Sequence, residues 1–361
     1  MSKNYPLKCY PFFKIIIVLV FSFSTRSFSQ VEFVDSNLPI LLINTDKDSN
    51  TNVPLEITDE PKVLATMKII KRPDGSRNYL TDENSAEFLN YNGRIKIELR
   101  GSSSMELPKK SYSLTTVKSD NTSNNNVSIL GMPSENDWIL NSLAFDPSLI
   151  RDYLSYDISR KLGNYASRTQ YCEVILNGDY IGLYVFQEKI KANANRVDVA
   201  KIEKTDNSLN NLTGGYITKA DRPDINEPPT WVMEDTNFVH VLPKPENATP
   251  EQTAYIKGEF DRFSDNLYNY DLENGYQTII DVPSFVDFML VNELSSNADA
   301  YQYSTFFHKD RGGKLRAGPI WDLNLSFGSS FTNSSDVDQW QFSNGNKTGP
   351  WFWAGLFDNR T

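Results

Sequence analysis

The sequence predicts an α+β domain in two parts, a mixed or antiparallel sheet in the N-terminal part and a largely helical C-terminal part. Three observations carry that expectation. Alternating apolar and polar residues mark strands within residues 38–115 and again within 171–188. Apolar residues at helical spacing mark helices over 250–267 and 282–294. Strands come mainly first and helices mainly later, an order that suits segregated layers forming two lobes.

The first thirty residues read as a leader. Lys3, Lys8 and Lys14 precede the largely apolar run 15–23, and Ser27-Phe28-Ser29 places small residues where a signal peptidase reads. Cleavage is expected after Ser29, leaving a domain over 30–361 with an N-lobe at about 30–190 and a C-lobe at about 191–361. The alternative, a retained anchor, needs about 20 apolar residues to span the bilayer. No later segment is apolar enough to span a membrane, so the expected destination is secreted, periplasmic or cell-surface.

The 361 residues are 39% hydrophobic, which supplies a large core. Acidic residues outnumber basic ones by 46 to 36, and losing Lys3, Lys8, Lys14 and Arg26 takes the net charge from −10 to −14. Such a chain is a poor general nucleic-acid binder, because Lys and Arg on phosphates supply most non-specific affinity. Cys9 leaves with the leader, so Cys172 has no partner for an internal disulfide and reads as a buried structural thiol. His240 and His308 are too few for a His-rich metal site, and no G-x-S-x-G signature is present.

In order, the mature chain opens with a strand at 38–43 and continues with strands at 63–70 and 94–99, the last alternating Arg94, Lys96 and Glu98 with Ile95, Ile97 and Leu99. A turn at Arg100-Gly101-Ser102-Ser103-Ser104 leads to a returning strand at 109–115. The Asn- and Ser-rich stretch 119–128 reads as a surface loop. Ile150, Leu154 and Ile158 step by four through a helix at 147–158, with Asp146 as its cap and Gly163 as its stop. Strands at 171–176 and 180–188 are joined by Asn177-Gly178, a strong hairpin signal. Residues 204–250 are polar, with Gly214-Gly215 and Pro228-Pro229 marking loops around short strands. After the two helices, 305–309 and 314–315 form a further hairpin ahead of Ile320-Trp321-Asp322. Pro350-Trp351-Phe352-Trp353 is strongly apolar near the chain's end, and the expectation is a domain that continues beyond it.

Two constellations carry chemistry. Asn297-Ala298-Asp299 follows a helix and Trp321-Asp322-Leu323-Asn324 follows a short strand, so two acids presented at element ends can converge on one cleft and hold Mg²⁺. Phosphoryl transfer needs such parts, one acid on the metal and another orienting the attacking hydroxyl. Five residues after Asp299, where a kinase catalytic loop has a metal-binding Asn, stands Ser304. By themselves these acids also fit ordinary turn positions. The second constellation is the small-residue turn after Arg100 with Pro108-Lys109-Lys110-Ser111-Tyr112, where backbone N–H groups and a lysine can approach phosphate oxygens. Strand alternation puts Lys110 on the face of Tyr112 and Leu114, which favours it over Lys109, although a solvated surface lysine fits the same pattern. Neither G-x-G-x-x-G nor G-x-x-x-x-G-K-[ST] occurs.

The ordered set resembles the spore-coat protein H (CotH) kinase family. Its parts are Arg100-Gly101-Ser102-Ser103, Pro108-Lys109-Lys110-Ser111-Tyr112, Trp138, Asn141, Asp146, Arg151, Asn177-Gly178-Asp179-Tyr180-Ile181-Gly182-Leu183-Tyr184, Glu188-Lys189-Ile190, Asn297-Ala298-Asp299 and Gly318-Pro319-Ile320-Trp321-Asp322. The resemblance implies an atypical protein-kinase-like two-lobed fold that uses ATP and Mg²⁺ or Mn²⁺ to phosphorylate Ser or Thr of an exported or surface protein. By position it implies Lys110 on the ATP phosphates, Asp299 as catalytic acid and Asp322 as metal ligand. Glu188 would lie near adenine, and Arg100 and Arg151 would belong to the nucleotide site. Asn324 stands where the family often has a second acid and, with Ser304, would give weaker metal contacts. The alternative is a non-catalytic kinase-like adhesion or glycan-binding module, for which the 12% aromatic content would line a sugar-binding face.

Overall fold

In the computed structural model, which describes residues 32–222, 228–329, 340–343 and 350–358, the N-terminal strands close on themselves. They are β1 (Ile40–Thr45), β2 (Val63–Ile70), β3 (Leu89–Arg100), β4 (Ser111–Val117) and β5 (Asp137–Asn141). Helix α1 (Arg151–Lys161) follows, then the hairpin β6 (Thr169–Leu176) and β7 (Asp179–Glu188). The barrel runs β6-β7-β5-β4-β3-β2-β1 and is closed by a parallel pairing of β1 with β6, Ile40 opposite Glu173. Every other pairing is antiparallel. Closure leaves no exposed sheet edge and turns one face of each strand inward. Leu41, Met67, Ile95, Ile97, Tyr112, Leu114, Trp138, Cys172 and Phe186 fill that interior. The β6–β7 turn has Asn177 at φ 52° and Gly178 at φ 91°, the left-handed pair an Asn-Gly hairpin requires.

The C-terminal half is also organised on a sheet. Strands β8 (Tyr216–Asp221), β9 (Trp231–Met233), β10 (Thr236–Leu242), β11 (Thr305–Lys309) and β12 (Arg316–Ala317) form an antiparallel sheet in the order β9-β10-β8-β11-β12. Helices α2 (Pro250–Asp265), α3 (Val282–Leu294) and α4 (Trp351–Asp358) belong to the same half. Their apolar residues join the sheet's in one aromatic core that includes Phe238, Phe260, Phe285, Phe307, Phe352 and Trp353. Thr249 caps α2 with a reciprocal Gln252 pairing, and Asp281 caps α3 through the Ser284 N–H at 3.0 Å.

The expectation of a largely helical C-terminal part is therefore corrected: the protein is mostly β, a seven-stranded barrel beside a five-stranded sheet. The reason is non-local pairing. Strand β8 sits between β10 and β11, so its partner Thr305–Lys309 lies more than eighty residues away, and glycine and proline punctuation around it mimics loops. The described residues from 34 onward form one compact unit. The expected leader, at 1–29, lies outside the described residues.

Helix α1 also departs from expectation. It starts at Arg151, four residues late, because Leu149 takes a left-handed φ of 61°. Its buried side chains are polar or amphipathic, Asp152, Ser155, Tyr156 and Ser159, while Ile150 and Leu154, taken from the sequence as the inner face, are exposed.

Candidate active site

Asp299 lies in the loop from α3 to β11, and Asp322 five residues past β12. Both loops hold ordinary residues in left-handed backbone: Ser296, Tyr301 and Ser304 in the first, Asp322 and Phe327 in the second, with Asp322 at φ 61°. Such a conformation costs about 1 kcal/mol or more per residue and persists only where neighbours fix it. Those neighbours are visible. The Asp322 N–H donates to the Tyr156 hydroxyl at 3.3 Å, and the Leu323 N–H donates to Asp152 Oδ1 at 2.7 Å. The Phe327 N–H donates to the Ser295 carbonyl at 2.5 Å, tying the two loops together. The Asp299 N–H donates to Asn297 Oδ1 at 3.2 Å, and the buried Asn297 amide donates to Asn292 on α3 at 2.8 Å.

A third acid joins them. Asp221, at the end of β8, accepts the Ser304 N–H at 3.4 Å and pairs with Lys219 at 2.8 Å. Burial pushes the Asp322 carboxyl above its ordinary value; Arg100 and Lys219 oppose that push, and the charges of Asp299 and Asp221 add to it. The Asp322 carboxyl therefore lies within electrostatic reach of both Asp299 and Asp221. Asn324 Nδ2 donates to Asp322 Oδ1 at 2.6 Å, and Arg222 lies 3.6 Å from Asp299. Arg100, at the end of β3, places its guanidinium over the Trp321 ring at 5.7 Å. Behind Asp322, burial and then the Asp322 charge push the Asp152 carboxyl up as well.

The family model described as CotH kinase protein matches residues 97–360 of this chain. The chain belongs to the CotH kinase family. No curated protein matches it at a significant level. As a kinase family, CotH implies ATP and a divalent metal in general terms.

Within this CotH kinase chain the remaining sequence-predicted residues separate into two groups. Asn324 contacts Asp322, the Ser304 N–H contacts Asp221, and Asp322 is in electrostatic reach of Asp299 and Arg100. Lys110, Glu188 and Arg151 make other contacts. The Lys110 ammonium donates to the Met105 carbonyl and so braces the turn at 103–106. Lys109, the alternative, donates to the Leu183 carbonyl at 2.5 Å and lies 4.6 Å from the centre of the Tyr184 ring. Glu188 is fully buried, and its carboxylate accepts from Arg168 at 3.0 and 3.1 Å, from the Arg168 N–H at 3.0 Å and from the Tyr165 hydroxyl at 3.2 Å. Arg151 returns to Asp146 at 2.6 Å, closing the start of α1.

Lys219, Asp221, Asp152, Tyr156 and Lys189 were missed. Lys189 follows Glu188 at the end of β7, is solvent-exposed, and lies in the electrostatic reach of Arg100 and Asp137. The Lys-x-Asp pattern after Tyr216-Ile217-Thr218 was a usable strand-end signal, lost in the polar stretch around it. A separate cavity of about 490 Å³, lined by Tyr165, Arg196, His308 and Arg316 among others, has none of the three acids in its wall.

Proposed function

We propose that this chain transfers the γ-phosphate of ATP to a Ser or Thr hydroxyl of an exported or surface protein, with Mg²⁺ or Mn²⁺. The observation that carries the reading is that Asn324 is hydrogen-bonded to Asp322, the Ser304 N–H to Asp221 and Arg222 lies by Asp299, with Asp299, Asp221, Arg100 and Lys219 all in electrostatic reach of Asp322. Among the described residues no group of three or more His, Cys, Asp or Glu side chains is gathered tightly enough to hold a metal unaided. The donors present nevertheless suit Mg²⁺, which takes hard oxygens, needs one or two carboxylates and completes its shell with water and phosphate. A carboxyl destabilised in its charged form by burial and by neighbouring acids is one that a cation relieves.

In this reading Asp322 holds the metal with the Asn324 and Ser304 oxygens, and the metal when bound neutralises phosphate charge. Asp299 orients the acceptor hydroxyl and takes its proton. Arg100 and Lys189 meet the phosphates, while Lys110 keeps the Arg100 turn in shape. Partly desolvated surroundings strengthen each of these contacts. Export is part of the proposal and rests on the leader-like residues 1–29; no helix among the described residues is long and apolar enough to cross a membrane. The aromatic residues invoked for a glycan face are largely committed to the core, Trp138, Phe186, Phe260, Phe285 and Phe307 among them.

The test is direct. ATP with Mg²⁺ at about 100 times its dissociation constant should stabilise the protein by about 2.7 kcal/mol, seen as a rise in Tm, and ATP with chelator should not. Labelled ATP should pass its γ-phosphate to the chain itself or to a casein-like acceptor. A protein whose Tm ignores Mg²⁺·ATP is not a kinase.

A further inference from the structure

Helix α1 turns a polar face inward, and two of its side chains one turn apart bind consecutive backbone amides of the Asp322 loop. We infer that Asp152 and Tyr156 are positioning residues that hold Asp322 in its left-handed turn and so aim its carboxylate. Tyr156 accepts the Asp322 N–H at 3.3 Å and stacks on Trp321, ring centres 6.2 Å apart. Asp152 Oδ1 accepts the Leu323 N–H at 2.7 Å, and its Oδ2 accepts from Asn141 Nδ2, at the end of β5, at 3.2 Å. The chain Asn141–Asp152–Leu323 thereby links the barrel, α1 and the loop from the second sheet. Both α1 side chains are buried, Asp152 at 3% and Tyr156 at 1% exposure. Nothing in general helix packing asks for this: placing an acid behind another acid is unfavourable unless its hydrogen bonds determine a geometry. Leaving Ile150 and Leu154 in solvent on the same helix points the same way.

The catalytic side of this inference rests on the kinase reading; the structural side does not. The variants are Asp152→Ala, Asp152→Asn, which keeps an acceptor for the Leu323 amide, and Tyr156→Phe, which removes only the hydroxyl. Amide hydrogen exchange on the full chain without nucleotide reads the turn itself. Asp152→Ala should speed exchange at Leu323 by about tenfold or more, while Asp152→Asn stays near wild type. Tyr156→Phe should do the same at Asp322 and, as the mildest change, keeps the test open if Asp152→Ala folds poorly. In phosphate transfer, Asp152→Ala should lower kcat by about 100-fold with little change in KM for ATP, and Asp152→Asn should restore most of it. Unchanged exchange in both Asp152→Ala and Tyr156→Phe overturns the inference whatever the activity. Changed exchange with wild-type kcat overturns the aiming role. Absence of transfer by the wild type overturns the kinase reading and leaves the exchange result to decide the turn.

Discussion

Replacing Asp299 with alanine is expected to lower phosphate transfer by about 10³-fold while metal-dependent nucleotide binding stays within about threefold of wild type. The separation follows from where Asp299 sits. Its backbone is fixed by Asn297 Oδ1 and by the Tyr303 N–H on its own carbonyl at 3.1 Å, so truncating the side chain leaves the loop's hydrogen bonds in place. Its side chain pairs with Arg222, at 3.6 Å, and Arg222 is largely solvent-exposed. An exposed pair of that kind contributes little to stability, so Tm should barely move. Single-turnover transfer from labelled ATP, alongside nucleotide titration of the same preparation, checks both halves. A variant that loses binding and transfer in equal measure would make Asp299 a binding residue.

The second large effect concerns Asp322→Asn, and it has opposite signs for function and stability. Transfer and the Mg²⁺-dependent rise in Tm should both be lost, because an amide cannot supply the charge a divalent cation needs. Without metal, the variant should melt higher than wild type. Burial raises the folded-state value of the Asp322 carboxyl above the 3.8 of an unfolded aspartate. Ionising it near pH 7 therefore costs folding free energy, and that cost vanishes below about pH 4, where the unfolded chain is protonated too. The gain should be about 2–4 °C near pH 7 and shrink as pH falls. The Asn324 contact to Oδ1, at 2.6 Å, survives in the amide. A melting curve at several pH values, with and without metal, measures this directly. Stability given up at an ionised site is the usual relation between function and folding.

The parts of this molecule that obey local rules were readable from sequence. Asn177-Gly178 specifies its hairpin, Pro250 and Val282 open helices at the residues expected, and Ile95 and Ile97 turn into the barrel while Arg94 and Glu98 turn away. Barrel closure was not readable, because the parallel β1–β6 contact joins residues more than 130 positions apart, Ile40 with Glu173. Nor was the second sheet, whose central strand sets Thr218 and Lys219 side by side and so breaks the alternation a strand would show. Helix α1 misled for a more instructive reason. Of its apolar period only Ile158 packs against the core; Ile150 and Leu154 are exposed, and the helix buries Asp152 and Tyr156. Local pattern and global structure disagree where function constrains the fold. Of the candidate site residues, Asp299, Asp322, Arg100, Asn324 and Ser304 were singled out through motif order. Asp221 and Lys219 were not, since only the pairing of β8 with β11 brings them to the acids.

The central claim, that Asp322 anchors a metal–nucleotide complex against which Asp299 acts, is tested most directly by Mn²⁺ binding followed by electron paramagnetic resonance. The full chain should lower the free Mn²⁺ signal beyond what ATP alone does, and should not lower it without ATP. Asp322→Asn should weaken that uptake by about tenfold or more, and Asp299→Asn should leave it near wild type. Equal uptake by wild type and both variants, or none by any of them, would contradict the account.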